Sequence, residues 1–254
     1  MTADMYSLLN KRIVITGGTR GIVRAISLQF ARAGAIVIAN YVRDQQSAKL
    51  LKEQADSEGL KIDICRGDLT SGKGIERVLN SLGDVDTPLH GLVHCAATGV
   101  HKSIDQLSSR HFDWTFNLNV RAFFELVTRL LPRFKAGASI VAVSSKGASR
   151  AVPCYSLIGA SKGALEAFAR NLAVELAPRG IRVNVICPGS VLTDAWKAMP
   201  DGDARLDEAR KRSPIGRLVT VEEVACAAQF LCSDAASGIF GHTLMVDGGT
   251  GIVE

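Results

Sequence analysis

The sequence predicts a single α/β domain built on a doubly wound parallel sheet of about seven strands. Three observations lead there. Short apolar runs alternate with longer stretches of helical periodicity along the whole 254 residues. The short runs are continuously apolar instead of alternating, as in strands covered on both faces. The first run also breaks into a glycine-rich turn that opens directly onto a helix. No linker, repeat or low-complexity tract divides residues 1–254, and this length suits one large domain.

Taken in order, residues 11–16 (KRIVIT) form the first strand, and GGTRG turns the chain into a helix over 22–33 that Gly34 stops. Residues 35–40 (AIVIAN) make the second strand, 45–58 a helix ending at Gly59, and 61–65 the third strand. A helix at 73–82 leads to a fourth strand at 89–95. A helical run in two pieces spans 104–134, followed by a fifth strand at 139–144 (SIVAVS). The next helix starts at Tyr155 and ends near Ala177, where Pro178 and Gly180 stop it. Strands at 181–186 and 243–246 flank a helix at 220–232. The connection 188–219 has no strand pattern and mixes WKAMP with charged residues, so it reads as a substrate loop or lid.

Composition narrows the function. A hydrophobic content of 47% with 22% charge is ordinary for a globular protein with a substantial core. The six cysteines stand singly without CxxC pairs, and the five histidines lack ligand spacing, so neither a disulfide framework nor a metal site is expected. The start, MTADMYSLLNKR, has no leader pattern, and no apolar run approaches the ~18 residues of a membrane span. A cytoplasmic protein with reduced thiols is the expectation. The net charge of +5 is scattered and points to neither nucleic acid nor membrane.

Gly17, Gly18 and Gly21 sit where strand one becomes helix one, together with Thr19, Arg20 and Ile22. Glycine there lets backbone approach a pyrophosphate whose charge the helix N-terminus holds. An NAD site would place a carboxylate about twenty residues on, against the ribose hydroxyl. Asn40 stands there instead, with Arg43 close by and Arg20 available. Without an acid to repel a 2′-phosphate, and with cations to pair with it, NADPH is the expected cofactor.

Tyr155 and Lys162 lie seven positions apart, close to two helical turns, so a helix from Tyr155 would set both on one face. An ammonium lowers the cost of forming a phenolate, and a phenol supplies a proton to a carbonyl-like oxygen.

In this order and spacing, TGGTRGI (16–22), GDL (67–69), NLNVRA (117–122), VSS (143–145), SKGALEAF (161–168), IRVNVICPG (181–189) and VDGG (246–249) resemble the short-chain dehydrogenase/reductase superfamily over essentially the whole chain. The resemblance implies a Rossmann-type sheet in the order 3-2-1-4-5-6-7 and a homotetramer. It implies that Asp68 bonds the adenine amine, with Leu69, Cys95 and Ala96 beside the cofactor. Asn119 would hold a helix kink and a water chain, and Lys162 would grip the nicotinamide ribose. Pro188, Gly189 and Thr193 would border the carboxamide and diphosphate.

Three departures from the family pattern stand out. Val23 replaces a third glycine, with an expected outward push on the first helix. His94, Cys95, Ala96 and Ala97 replace Asn-Asn-Ala-Gly, and Ile158 stands where ordinary members carry tyrosine. The Tyr-x6-Lys spacing, with CAATG (95–99), SVLTDAWKAMP (190–200) and SPIGRL (213–218), resembles the NADPH-dependent enoyl-acyl-carrier-protein reductases of the superfamily. An enoyl thioester takes hydride at Cβ while charge develops on the thioester oxygen, so its acid must lie further along the substrate than a ketone's. The expected activity is therefore NADPH-dependent reduction of an enoyl thioester, on acyl carrier protein or coenzyme A, in fatty-acid or related acyl synthesis. Two other readings remain open: a carbonyl reductase or hydroxy-compound dehydrogenase using Tyr155, and a non-catalytic nucleotide-binding member. Ser145, at the usual catalytic serine position, either assists or only lines the site.

Overall fold

Strands that are apolar on both faces must be covered on both faces. The computed structural model, which describes residues 4–193 and 202–253, meets that demand with one seven-stranded sheet in the order β3-β2-β1-β4-β5-β6-β7, parallel throughout. The strands are β1 (Arg12–Thr16), β2 (Ile36–Tyr41), β3 (Ile62–Arg66), β4 (Leu89–His94), β5 (Phe134–Val143), β6 (Arg182–Pro188) and β7 (Thr243–Val246). The helices are α1 (Gly21–Arg32), α2 (Gln45–Ser57), α3 (Gly72–Asn80), α4 (Ser109–Phe116), α5 (Ala122–Leu130), α6 (Ser156–Leu176), α7 (Gly202–Arg212) and α8 (Val221–Cys232).

The period-two alternation of each strand sorts its side chains into two apolar layers. Val14, Ile38, Leu92, Ile140 and Val183 face one layer, closed by residues of α3, α5 and α6 such as Val78, Phe123 and Leu165. Ile13, Ile15, Val37, Val93, Val141 and Ile186 face the other, closed by α1, α2 and α8 through Ile26, Leu51 and Val224. This arrangement brings every strand's carboxyl end to one edge, the place where open α/β sheets bind ligands.

Four local features refine or depart from the expectations. First, β5 begins at Phe134, directly after a short 3-10 turn at Leu131–Arg133, so strand five is longer than the 139–144 pattern. Second, the helical run before it comes in two pieces as expected, parted by π winding at Asn117–Arg121 around Asn119. Third, part of the 188–219 connection is helical. Helix α7 buries Leu206, while Asp207 pairs with Arg210 and Glu208 with Arg212 on its surface. A helix so nearly polar all round leaves no apolar periodicity to read. Residues 194–201 of that connection, including WKAMP, lie outside the described residues. Fourth, Tyr155 is not in the helix: it precedes α6 with non-helical backbone (φ −124°), after a Cys154 in the left-handed region (φ 57°).

Arg182 shows how the second layer is locked. Its buried guanidinium donates to the carbonyls of Leu231, Ser233 and Ala236 at 2.5, 3.0 and 3.2 Å, closing the end of α8. Burial lowers its pKa, yet three carbonyl partners satisfy it. Arg182→Met would leave these carbonyls buried without a donor. We expect a loss of about 3 kcal/mol in chemical denaturation, with an unchanged midpoint counting against this role.

Candidate active site

At the end of β1 the chain turns through Gly17 (φ 108°) and Gly18 (φ 107°). A side chain on Gly17 would stand 2.7 Å from the backbone of Cys95 and Ala96, so only glycine lets β1 and β4 end so close together. Gly18 faces open space, and its N–H donates to the Asn40 carbonyl at 2.8 Å. Gly21 opens α1, and Ile22 follows half-buried. The N-cap residue of α1, Arg20, makes no side-chain capping bond, and the buried Thr19 hydroxyl has no hydrogen-bond partner among the described residues. A glycine cradle, a helix N-terminus with no side-chain cap and an orphan buried hydroxyl together fit a dinucleotide's diphosphate. Thr193 closes this turn from the other side, its methyl 3.5 Å from where a Gly21 Cβ would lie.

Asn40 does not reach toward a ribose. It is buried, and its amide donates to the carbonyls of Gly67 (2.9 Å) and Cys65 (3.3 Å), tying β2 to the end of β3. Arg43 is exposed. One carboxylate does stand nearby: Asp44 caps α2 and lies 3.9 Å from Arg20. Ser47, through its N–H and hydroxyl, holds the Asp44 carboxyl below its usual range, and Arg20 adds to this. That charge is therefore already committed to the helix cap. Asp68 is exposed and accepts from Thr70, whereas the Leu69 side chain is buried in the core.

The centre of the site is the carboxyl end of β5, where three consecutive residues each engage the start of α6. Lys162 Nζ donates to the Val143 carbonyl at 2.7 Å. Ser144 Oγ donates to Glu166 Oε1 at 2.5 Å. Tyr155 Oη donates to Ser145 Oγ at 3.2 Å. The structure thus brings Tyr155, Ser145 and Lys162 to one strand end, although Tyr155 arrives from the loop and not from a helical face. Its ring lies against Gly147, where a Cβ would stand 2.5 Å from the ring, and 5.3 Å from the His101 ring by centroids. Burial raises the Tyr155 pKa, and the Ser145 bond opposes that shift.

Lys162 is buried, and burial pulls its pKa down to about 8. Two thiols, Cys95 and Cys187, flank it, each pushed up to about 12 by burial and hence neutral. His94 is fully buried with Nδ1 3.1 Å from Thr16 Oγ1, its pKa lowered to about 3 by burial and then by Lys162, so it too is neutral. Ala96 is buried beside it.

Asn119 sits in the π-wound segment and is fully engaged. It accepts from the Thr98 N–H (2.7 Å) and donates to the Thr98 carbonyl (2.9 Å) and Ser161 Oγ (2.8 Å). Ile158, where a tyrosine is ordinarily expected, is buried against Gly99, whose Cβ would collide with it at 2.2 Å. Pro188 ends β6 and Gly189 bonds the Val246 carbonyl at 2.9 Å, packed too close to Asp247 for any side chain. Sequence reading passed over Glu166, His101 and Asp44, and met Ser144 only as a strand-end serine in VSS. Only Glu166 carried a legible signal, its spacing of four from Lys162 on one helix face.

Comparison with known proteins places this geometry among relatives. A family model described as enoyl-(acyl carrier protein) reductase matches residues 17–251. The 1-cyclohexenylcarbonyl-CoA reductase of Streptomyces collinus is 33% identical over 94% of this chain and 86% of its own length. The L-xylulose reductase of Caenorhabditis elegans is 37% identical over 96% of this chain and 97% of its own. A short-chain dehydrogenase from Burkholderia cenocepacia J2315 in complex with NADP superposes with a TM-score of 0.89 at 31% identity, covering 96% of this chain and 99% of that one.

Val23 does not crowd the turn: its side chain is buried in the layer shared by α1 and α8. Val23→Gly is therefore expected to cost about 2–3 kcal/mol, from the lost apolar contact and from glycine in a helix. Thermal melting of the variant at the wild-type temperature would refute that packing role.

Proposed function

Because the chain belongs to the short-chain dehydrogenase/reductase superfamily of oxidoreductases, in the family described as enoyl-(acyl carrier protein) reductase, we propose that it uses NADPH to reduce the carbon–carbon double bond of an enoyl thioester. One observation carries the reading: the proton donor stands on the loop before α6, bonded to Ser145, while the usual tyrosine position is an apolar plug of Ile158 under Gly99. The name 1-cyclohexenylcarbonyl-CoA describes a conjugated enoyl thioester, which supports the same chemistry.

NADPH supplies the hydride when bound. The 17–22 turn and the α1 N-terminus hold its diphosphate. Arg20 and Arg43 pair with the 2′-phosphate, and Asp68 takes the adenine amine, with Leu69, Cys95 and Ala96 beside it. Pro188, Gly189 and Thr193 border the nicotinamide end, and Lys162 grips the ribose. Asn119 sets the α4–α5 kink and so the depth of the site. Tyr155 hydrogen-bonds the thioester oxygen as enolate charge develops there, and Ser145 orients the phenol. The loops 95–103 and 144–155 that flank Tyr155 carry Lys102, Lys146 and Arg150 and no carboxylate, which suits the phosphate of a pantetheine carrier.

Phe112 and Phe124, exposed on α4 and α5, line one face with Phe116 that suits a second copy within a homotetramer. No helix among the described residues is long and apolar enough to cross a membrane. The free cysteines suit a reducing cytoplasm, and the substrate class suits fatty-acid or related acyl synthesis.

The L-xylulose reductase relative favours a second reading, carbonyl reduction with the same tyrosine. Crotonyl and acetoacetyl thioesters separate the two. Reduction of acetoacetyl thioester with crotonyl thioester untouched would overturn the enoyl assignment. Tyr155→Phe should lower turnover by about 10²–10³, the usual cost of one bond to a developing oxyanion, while NADPH binding stays intact. Arg43→Ala should cost about 1–3 kcal/mol of NADPH binding and leave NADH unchanged in titration, and equal losses for both would remove Arg43 from the 2′-phosphate site.

A further inference from the structure

Glu166 stands four residues after Lys162, one turn along the same face of α6. The two side chains reach adjacent residues of the same strand end: Lys162 the Val143 carbonyl, Glu166 the buried Ser144 hydroxyl. Ser144 N–H in turn donates to the Ile186 carbonyl at 2.8 Å, so this hydroxyl is fixed by the sheet itself. We propose that Ser144 and Glu166 form a positioning pair for Lys162, holding a carboxylate beside an ammonium that is otherwise walled in by neutral groups. The proposal rests on the reading of Lys162 as the residue that grips the cofactor ribose.

The surroundings explain why one carboxylate matters. From β4, Lys162 is faced by His94, which is neutral, and by the Cys95 thiol. From β6 it is faced by the Cys187 thiol, itself influenced by Asp247 beyond β7. Burial depresses the lysine to about 8; Cys95 and Cys187 would oppose this only as thiolates, and since both stay neutral, Glu166 is left to keep the proton on. An ammonium that binds ribose hydroxyls and favours a phenolate must be charged at working pH. Ser144 does two things at once: its O–H satisfies the carboxylate, and its place on the strand stops Glu166 from swinging out to solvent.

The test uses Glu166→Gln, which keeps the shape and can still accept from Ser144 but has no charge. The titration of Lys162 is followed in the apoprotein by the ¹³Cε resonance that is missing from Lys162→Arg. NADPH binding is measured across the same pH range. Loss of the carboxylate makes the lysine give up its proton earlier, so its midpoint should fall by about one pH unit, the effect of one charge at a partly buried site. The alkaline loss of NADPH affinity should begin correspondingly lower. Ser144→Ala should shift both in the same direction by less. Superimposable lysine titrations in wild type and Glu166→Gln would overturn the proposal, whatever happens to affinity. A shifted lysine in a protein that binds no NADPH would uphold the pair and instead refute the cofactor reading.

Discussion

The interaction on which this site depends is the burial of the Lys162 ammonium against the end of β5. An ammonium taken out of water is costly unless its donors are met and a counter-charge is near. The Val143 carbonyl meets one donor, and the strand that presents it is held between β4 and β6, in continuous parallel register with each from Ser139 onward. Because the lysine is anchored to backbone and not to a mobile side chain, the start of α6 inherits the rigidity of the sheet. Ser144 and Ser145 extend the same attachment by one residue each, so the strand end is joined to α6 and to the residue that caps it by three successive bonds.

The rest of the site is organised by close backbone approach. Gly17 admits the β4 end, Gly189 admits the turn after β7, and Gly147 admits the tyrosine ring. Each is a place where a single methyl would force two segments apart. The cofactor-facing edge is therefore shaped largely by missing side chains, while the charges that act there are few and individually buttressed. Asp44 illustrates the second half of that statement. A carboxylate in this position would repel a phosphate if it were free, but Ser47 and the α2 N-terminus hold it and Arg20 lies alongside.

Much of the fold was legible because burial on both faces imposes continuous apolar strands, and the glycine turn marked which edge carries the site. Strand order and parallel pairing agree with that reading in full. What escaped had physical causes. Helix α7 is stabilised by surface ion pairs and buries only Leu206 among its described side chains, so periodicity could not mark it. The early part of β5 contains exposed Lys135, Ala136 and Gly137, which do not look like a buried strand. Asn40 was read by its absence of charge, whereas its side chain serves the β2–β3 connection. Tyr155 was placed on the helix because helix propensity carries no sign of the left-handed Cys154 that halts it one residue short. Ser145 was ambiguous in sequence for want of a partner, and only the fold supplied the phenol 3.2 Å away.

That last difference has a consequence for how such a site can change. The phenol is carried by the N-cap residue of α6, just outside the helix proper, whereas the ammonium stands within the helix. The chain from Ser149 to Cys154, outside any helix or strand, reaches Tyr155 through a single left-handed joint at Cys154, which sets where the phenol points. Adding or removing a residue there would move the phenol while leaving the lysine seated on the Val143 carbonyl. A fold built in this way separates the placing of the phenol from the seating of the ammonium, so one can drift without dismantling the other.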